Sequence, residues 1–185
     1  MARTYTITVP LGFEAPDFIL PNVVTGKLNS LQELVGRQAT VVMFICNHCP
    51  FVIHILDELV AVAKEFRSND ITFIAISSND INKYPQDGPE KMKELAISAD
   101  FSFPYLFDES QEIAKAYSAA CTPDISVFDD RLLCIYRGQF DDSRPGNNAP
   151  INGADLRKVL SHVLDSKSLD FNQKPSLGCN IKWKE

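Results

Sequence analysis

The chain of 185 residues holds 45% apolar and 23% charged side chains, a balance close to the globular average that excludes disordered, collagen-like and fibrous organisation. With 18 Lys and Arg against 24 Asp and Glu the net charge is −6, and no segment gathers a basic patch, so nucleic acid and anionic membranes are poor partners. The longest apolar stretches, such as Thr40 to Cys46, fall far short of the ~20 residues a membrane-spanning helix needs.

The opening M-A-R-T-Y-T-I-T-V-P offers no apolar run of signal-peptide length and reaches Pro10 and Gly12 early, so a cytoplasmic location is expected. After A-P-D-F-I-L-P (Ala15 to Pro21), V-V-T-G-K-L reads as a short β-hairpin extension with Gly26 in the turn. Ser30 and Glu33 form a capping box that starts a short helix ending near Gly36. Ala39 to Ile45 is apolar except for Thr40 and rich in β-branched residues, the pattern of a central parallel strand covered on both faces.

Phe51, Ile55, Leu59, Val62 and Phe66 fall at helical spacing, with Pro50 near the first helical position, where a missing amide costs nothing. Ile71 to Ser77 reads as a second buried strand, Pro89 to Ala99 as a helix, Tyr105 to Phe107 as a short strand and Glu109 to Tyr117 as a third helix. Such alternation implies βαβ units. Ile125 to Phe128 and Leu132 to Gly138 are joined by three residues, a link that permits only an antiparallel hairpin, so the central sheet is mixed. Leu156, Val159, Leu160, Val163 and Leu164 mark a last amphipathic helix. The expectation is one α/β domain over 1–185, with a core of about 10–165. The tail 166–185 lacks periodicity, but its Leu169, Phe171, Leu177, Ile181 and Trp183 should pack it on the core, Trp183 acting as anchor.

Five cysteines, Cys46, Cys49, Cys121, Cys134 and Cys179, are too few and too uneven for a secreted disulfide scaffold. Cys46-Asn47-His48-Cys49-Pro50 places a C-x-x-C between a buried strand and a helix, where free amides and the macrodipole favour a thiolate. This reading makes Cys46 the exposed nucleophile and Cys49, one helical turn in, the resolving thiol. A protonated His48 beside the attacking sulfur would raise the reduction potential. Zinc would need two further ligands in a second close pair, which Cys121, Cys134, Cys179, His54 and His162 do not form. No metal or organic cofactor is therefore expected. Cys134 reads as a core thiol, Cys121, two residues before Pro123, as a core thiol or a third redox thiol, and Cys179 is a resolving thiol only if the tail covers the site.

A-P-D-F-I-L-P, V-V-M-F-I-C-N-H-C-P and T-P-D-I-S-V-F-D together resemble the thioredoxin superfamily, in the branch shared by peroxiredoxins and thiol-disulfide reductases. R-G-Q-F-D-D-S-R-P-G-N and P-S-L-G-C-N-I-K-W-K resemble more narrowly the peroxiredoxin-like proteins of the alkyl hydroperoxide reductase and thiol-specific antioxidant group, over roughly residues 10–184. The resemblance implies a thioredoxin fold, with Pro123 as the cis-proline facing the C-x-x-C and Thr122 offering its backbone to a substrate chain. Asn47 and Pro50 would flank the substrate. It also implies departures from the peroxiredoxin pattern. Cys49-Pro50 resembles the peroxidatic Cys-Pro, yet Cys46 replaces the threonine and Pro123 the arginine, leaving Arg137 or Arg144 to polarise a peroxide. A buried carboxylate behind the second cysteine has no clear counterpart; Asp17 and Glu14 are the candidates.

These features point to a thiol-disulfide oxidoreductase exchanging a Cys46–Cys49 disulfide with protein or small-molecule thiols. Its redox partner would be of thioredoxin or glutathione type, and the chain a monomer or weak homodimer. A hydroperoxide-reducing thiol peroxidase is the first alternative. A binding protein using the C-x-x-C for metal or as a switch is the second. The loop Asp141 to Arg144 would flank the substrate groove or hold only an Asp–Arg ion pair.

Overall fold

A computed structural model of the chain describes residues 3–185, Met1 and Ala2 lying outside it. In chain order the elements are β1 (Arg3–Tyr5), β2 (Ile19–Pro21), β3 (Leu28–Ser30), α1 (Leu31–Leu34), β4 (Ala39–Phe44), α2 (Pro50–Phe66), β5 (Ile71–Ser77), α3 (Pro89–Ser98), β6 (Tyr105–Phe107), α4 (Glu112–Ala116), β7 (Cys121–Thr122), β8 (Asp124–Phe128), β9 (Cys134–Gly138), α5 (Ala154–Leu164) and β10 (Leu177–Asn180).

The central sheet has the order β6-β5-β4-β8-β9 and is mixed. β4, β5 and β6 run parallel, while β8 pairs antiparallel with both β4 and β9. Every residue of β4 is buried, because its two faces serve two cores. Val41 and Met43 face a core built with α2, α3 and α5, whereas Val42 and Phe44 face one built with Leu20, Leu31 and Ala114. This explains the unbroken apolar run: a strand covered on both sides has no polar face to alternate with. α2 buries Val52, Ile55, Leu56, Leu59, Val60, Val62, Ala63 and Phe66 in the first core. At about 1.5–3 kcal/mol for each large aliphatic or aromatic side chain buried, that packed face, more than intrinsic propensity, holds the helix and its N-terminus in place.

The hairpin β2–β3 turns at Gly26, whose φ of 72° is the left-handed conformation glycine adopts without a Cβ penalty. The capping box is formed: Glu33 N–H donates to Ser30 Oγ and Ser30 N–H to Glu33 Oε2. β9 begins at Cys134 rather than Leu132, because Leu132 takes φ 61° and its amide turns back to the Asp129 carbonyl. α4 begins at Glu112 rather than Glu109. Buried Asp108 accepts from Ser78 Oγ, Ser110 Oγ and the Ala114 amide, and Gln111 adopts φ 66° immediately before the helix.

The larger difference is in the tail, where periodicity predicts no element. β10 is the middle strand of a second sheet, β1-β10-β7, antiparallel to both neighbours. Buried Ile181, not Trp183, anchors it; Trp183 remains 38% exposed. Among the described residues no helix is long and apolar enough to cross a membrane.

Candidate active site

β4 ends at Phe44 and the chain turns through Cys46, Asn47 and His48 before α2 begins at Pro50, with Cys49 as its N-cap. The Cys49 carbonyl accepts the amides of Val52 and Ile53. The helix N-terminus therefore lies at Cys49, with Pro50 first in the helix as its position predicts, so Cys49 is not one helical turn in. Pro50 is the physical reason. It disfavours helical backbone at the preceding residue, and Cys49 accordingly sits at φ −71°, ψ 119°. Nor is Cys46 exposed: Cys46 and Cys49 are both buried, at 1% and 0%.

The Thr122–Pro123 peptide bond is cis, and Thr122 lies against both sulfurs. Cys46 Sγ is 3.4 Å from Thr122 Oγ1, and the Cys49 thiol donates to the Thr122 carbonyl at 3.0 Å. That last contact favours the protonated Cys49. The Cys46 thiol foremost, then the Thr122 side chain, the Cys179 thiol and the Val52 amide favour its thiolate, and against the cost of burial they hold its pKa down to about 5. Cys46 is pushed far up by the neighbouring Cys49 sulfur, by burial and by the nearby Asp87 carboxylate. The contact between the two sulfurs thus favours a pair that carries one proton and one charge.

Asp87 is the site residue that sequence reasoning misses. It is fully buried. Its Oδ1 accepts the amides of Asn47 (2.9 Å) and His48 (3.2 Å), and its Oδ2 accepts Asn79 Nδ2 (2.8 Å) and His48 Nδ1 (2.6 Å). It lies in Y-P-Q-D-G-P, where proline and glycine read as turn punctuation and an aspartate is unremarkable. Glu14 and Asp17 are both exposed, so neither is the buried carboxylate. His48 Nδ1 is 3.9 Å from Cys46 Sγ but 2.6 Å from Asp87, and its ring stacks on Tyr84 at 5.2 Å. Asn47 holds the loop, accepting from Tyr105 Oη and donating to the Gln86 carbonyl.

The remaining candidates divide cleanly. Arg137 is committed to Asp124, Ser126 Oγ and the carbonyls of Ile7, Tyr117 and Ser118. Arg144 donates to neutral acceptors, the carbonyls of Asp141 and Ser143 and Gln139 Oε1, while Asp142 pairs with Lys174. The expected Asp–Arg ion pair is therefore replaced by these contacts. Arg144 and Pro123 line one small cleft with Phe51 and Ile55. Cys134 is buried in β9. Cys121 is engaged with Thr6 Oγ1 and the Pro123 carbonyl, and burial pushes its thiol up. The tail brings Cys179 to Cys49, and the backbone edge of Thr122 that the resemblance offers to a substrate chain is paired with β10. Cys46, His48 and Asp87 place one donor atom each within 4.8 Å of one another, a set whose chemistry suits a borderline metal such as zinc.

The AhpC/TSA family matches residues 11–138. No curated protein matches the chain. Among solved structures, an uncharacterized conserved protein from Geobacillus kaustophilus is 49% identical over 100% of this chain and 97% of its own, with a TM-score of 0.98. A hypothetical protein from Sinorhizobium meliloti 1021 is 42% identical over 98% of each chain, with a TM-score of 0.95. The thioredoxin domain of a thiol-disulfide oxidoreductase from Bacteroides vulgatus shares the fold at 15% identity and a TM-score of 0.63, over 83% of this chain and 99% of its own. The chain thus belongs to the AhpC/TSA family, which supports a thiol-based redox function, and has a thioredoxin fold.

Proposed function

We propose that the protein is a thiol-disulfide oxidoreductase that cycles Cys46 and Cys49 between dithiol and disulfide. Cys49 supplies the attacking thiolate and Cys46 the resolving thiol, the reverse of the order that motif spacing suggests. The observation that carries this reading is the N-cap position of Cys49, where Cys46, Cys179 and the Val52 amide all favour its charge. The Cys49 thiolate attacks a disulfide sulfur, forming a mixed disulfide and expelling one thiolate. Once Cys49 is neutral, the foremost cause holding the proton on Cys46 is gone. Cys46 then gives its proton to the departing thiolate and attacks Cys49, closing the Cys46–Cys49 disulfide and releasing the second thiol. A thioredoxin- or glutathione-type thiol would return the pair to the dithiol.

The test is substitution. Cys49→Ser is expected to abolish disulfide exchange, and Cys46→Ser to accumulate a mixed disulfide at Cys49 visible by mass spectrometry; turnover retained in Cys49→Ser would end this assignment. A second reading, reduction of hydroperoxides, is favoured by Arg144, whose guanidinium is bonded only to neutral groups beside Pro123. Reduced protein reacting with one equivalent of hydrogen peroxide far faster than free cysteine would transfer the function to that reading.

A further inference from the structure

We infer that Cys179 is a third redox thiol and that β10 is a built-in substrate strand presenting it to Cys49. The inference rests on the Cys46–Cys49 chemistry proposed above and adds a second disulfide partner for Cys49. Three independent features converge on it. In the antiparallel register of β10 on β7, Cys179 stands opposite Thr122, the residue whose carbonyl touches Cys49 Sγ at 3.0 Å. Cys179 and Cys49 are both buried in the same core, and each sulfur influences the other's ionisation. Gly178 is what lets the strand approach: a Cβ there would fall 2.0 Å from the Thr122 carbonyl oxygen, a backbone atom that cannot yield as a side chain would.

β10 therefore occupies the edge on which an extended chain would add to β7, and it carries a cysteine at the position that meets the reactive sulfur. It is held there by β1 on its other edge and by the Lys182 amide, which donates to Asn79 Oδ1. In the reduced protein burial foremost, and then the Cys49 sulfur, keep Cys179 protonated. When Cys46 and Cys49 are joined, the Cys49 thiolate no longer exists. Cys179 then attacks Cys49 Sγ, the Cys49–Cys179 bond forms as the Cys46–Cys49 bond breaks, and the proton from Cys179 ends on Cys46. One disulfide is present before and after, so no further oxidant is consumed.

The experiment is disulfide mapping on the full chain after stoichiometric oxidation with diamide, acid quench and non-reducing digestion. Wild type is expected to give both the Cys46–Cys49 and the Cys49–Cys179 linkages. Cys46→Ser should give Cys49–Cys179 within a single chain, and Gly178→Ala should keep Cys46–Cys49 while losing most of Cys49–Cys179. Cys46→Ser that shows the wild-type circular dichroism spectrum, yet leaves Cys179 free and links Cys49 only between chains, would overturn the inference, as would a wild type that forms Cys46–Cys49 alone. Absence of Cys46–Cys49 from oxidised wild type would instead count against the function proposed above, and the Cys46→Ser map would still decide the role of Cys179.

Discussion

At the junction of β4 and α2, two thiols three residues apart are distinguished by what surrounds each. Cys49 faces helix amides and neighbouring thiols, whereas Cys46 faces the Asp87 carboxylate, so proton and charge separate between them. Asp87 has a second task, since each of its oxygens accepts two hydrogen bonds that fix the Cys46–Cys49 loop. In Asp87→Asn the retained oxygen can still serve the two amides, but the new NH2 group would face two donors, His48 Nδ1–H and Asn79 Nδ2. Leaving these buried donors unpaired should cost roughly 1–3 kcal/mol, read as a lower urea midpoint for the reduced protein. Loss of the charge should also let Cys46 ionise at lower pH, seen as faster resolution of the mixed disulfide under mildly acid conditions. A variant matching wild type in both measurements would remove Asp87 from the site.

Among the elements, α5 is unusual in how it starts. Its N-cap is Gly153, at φ 57°, with no side chain to cap the helix. Asn152 Oδ1 accepts the first helical amide, that of Ala154, while Asp141 from the preceding loop fixes the turn into the helix: its Oδ2 accepts the amides of Asn152 and Gly153, and its Oδ1 the amide and hydroxyl of Ser143. Burial opposes ionisation, but these donors outweigh it and hold the carboxyl below the ordinary aspartate range. The contribution is therefore full above the unfolded value of ~3.9 and is lost as pH falls through the lower folded value. Asp141→Ala should destabilise by roughly 1–3 kcal/mol at pH 7, with a smaller gap at pH 3. A gap of equal size at both pH values would show that the carboxylate charge is not what holds the turn into α5.

The same element scale shows what could be read in advance. β4, β5 and α2 are long enough for their burial to leave a pattern in the sequence, continuous in one case and periodic in the other. β1, β7 and β10 have two to four residues each, too few for alternation to register, and they exist as strands only because they pair with one another. That is why Cys179 was an isolated tail cysteine in the sequence and is a neighbour of Cys49 in the fold. Asp87 was hidden for a related reason. Its importance comes from Asn79, His48 and the Cys46–Cys49 loop, which lie up to 41 residues away.

Taken as a whole, a fold that stabilises the Cys49 thiolate must also stabilise the reduced protein relative to the oxidised one, since the oxidised form has no thiolate to hold. The sign follows from the lowered pKa. Between about 5 in the folded chain and ~8.5 in the unfolded chain, the folded reduced state has released a proton that the unfolded state keeps. Reduced-state stability should therefore rise with pH across that window, by up to about 1.4 kcal/mol per pH unit, level off below it, and fall again above it, where the unfolded chain also ionises Cys46 and the fold does not. The disulfide adds an opposing but pH-independent gain of about 2 kcal/mol for a four-residue loop. The informative quantity is thus the pH slope of the difference, not its value at one pH. Urea unfolding of reduced and oxidised wild type at pH 4.5, 6, 7 and 8 should show the reduced form gaining on the oxidised form as pH rises. The reduced Cys49→Ser variant should lack that slope. A difference that stays constant with pH would mean the fold does not hold Cys49 as a thiolate, and Cys46 would again be the better candidate nucleophile.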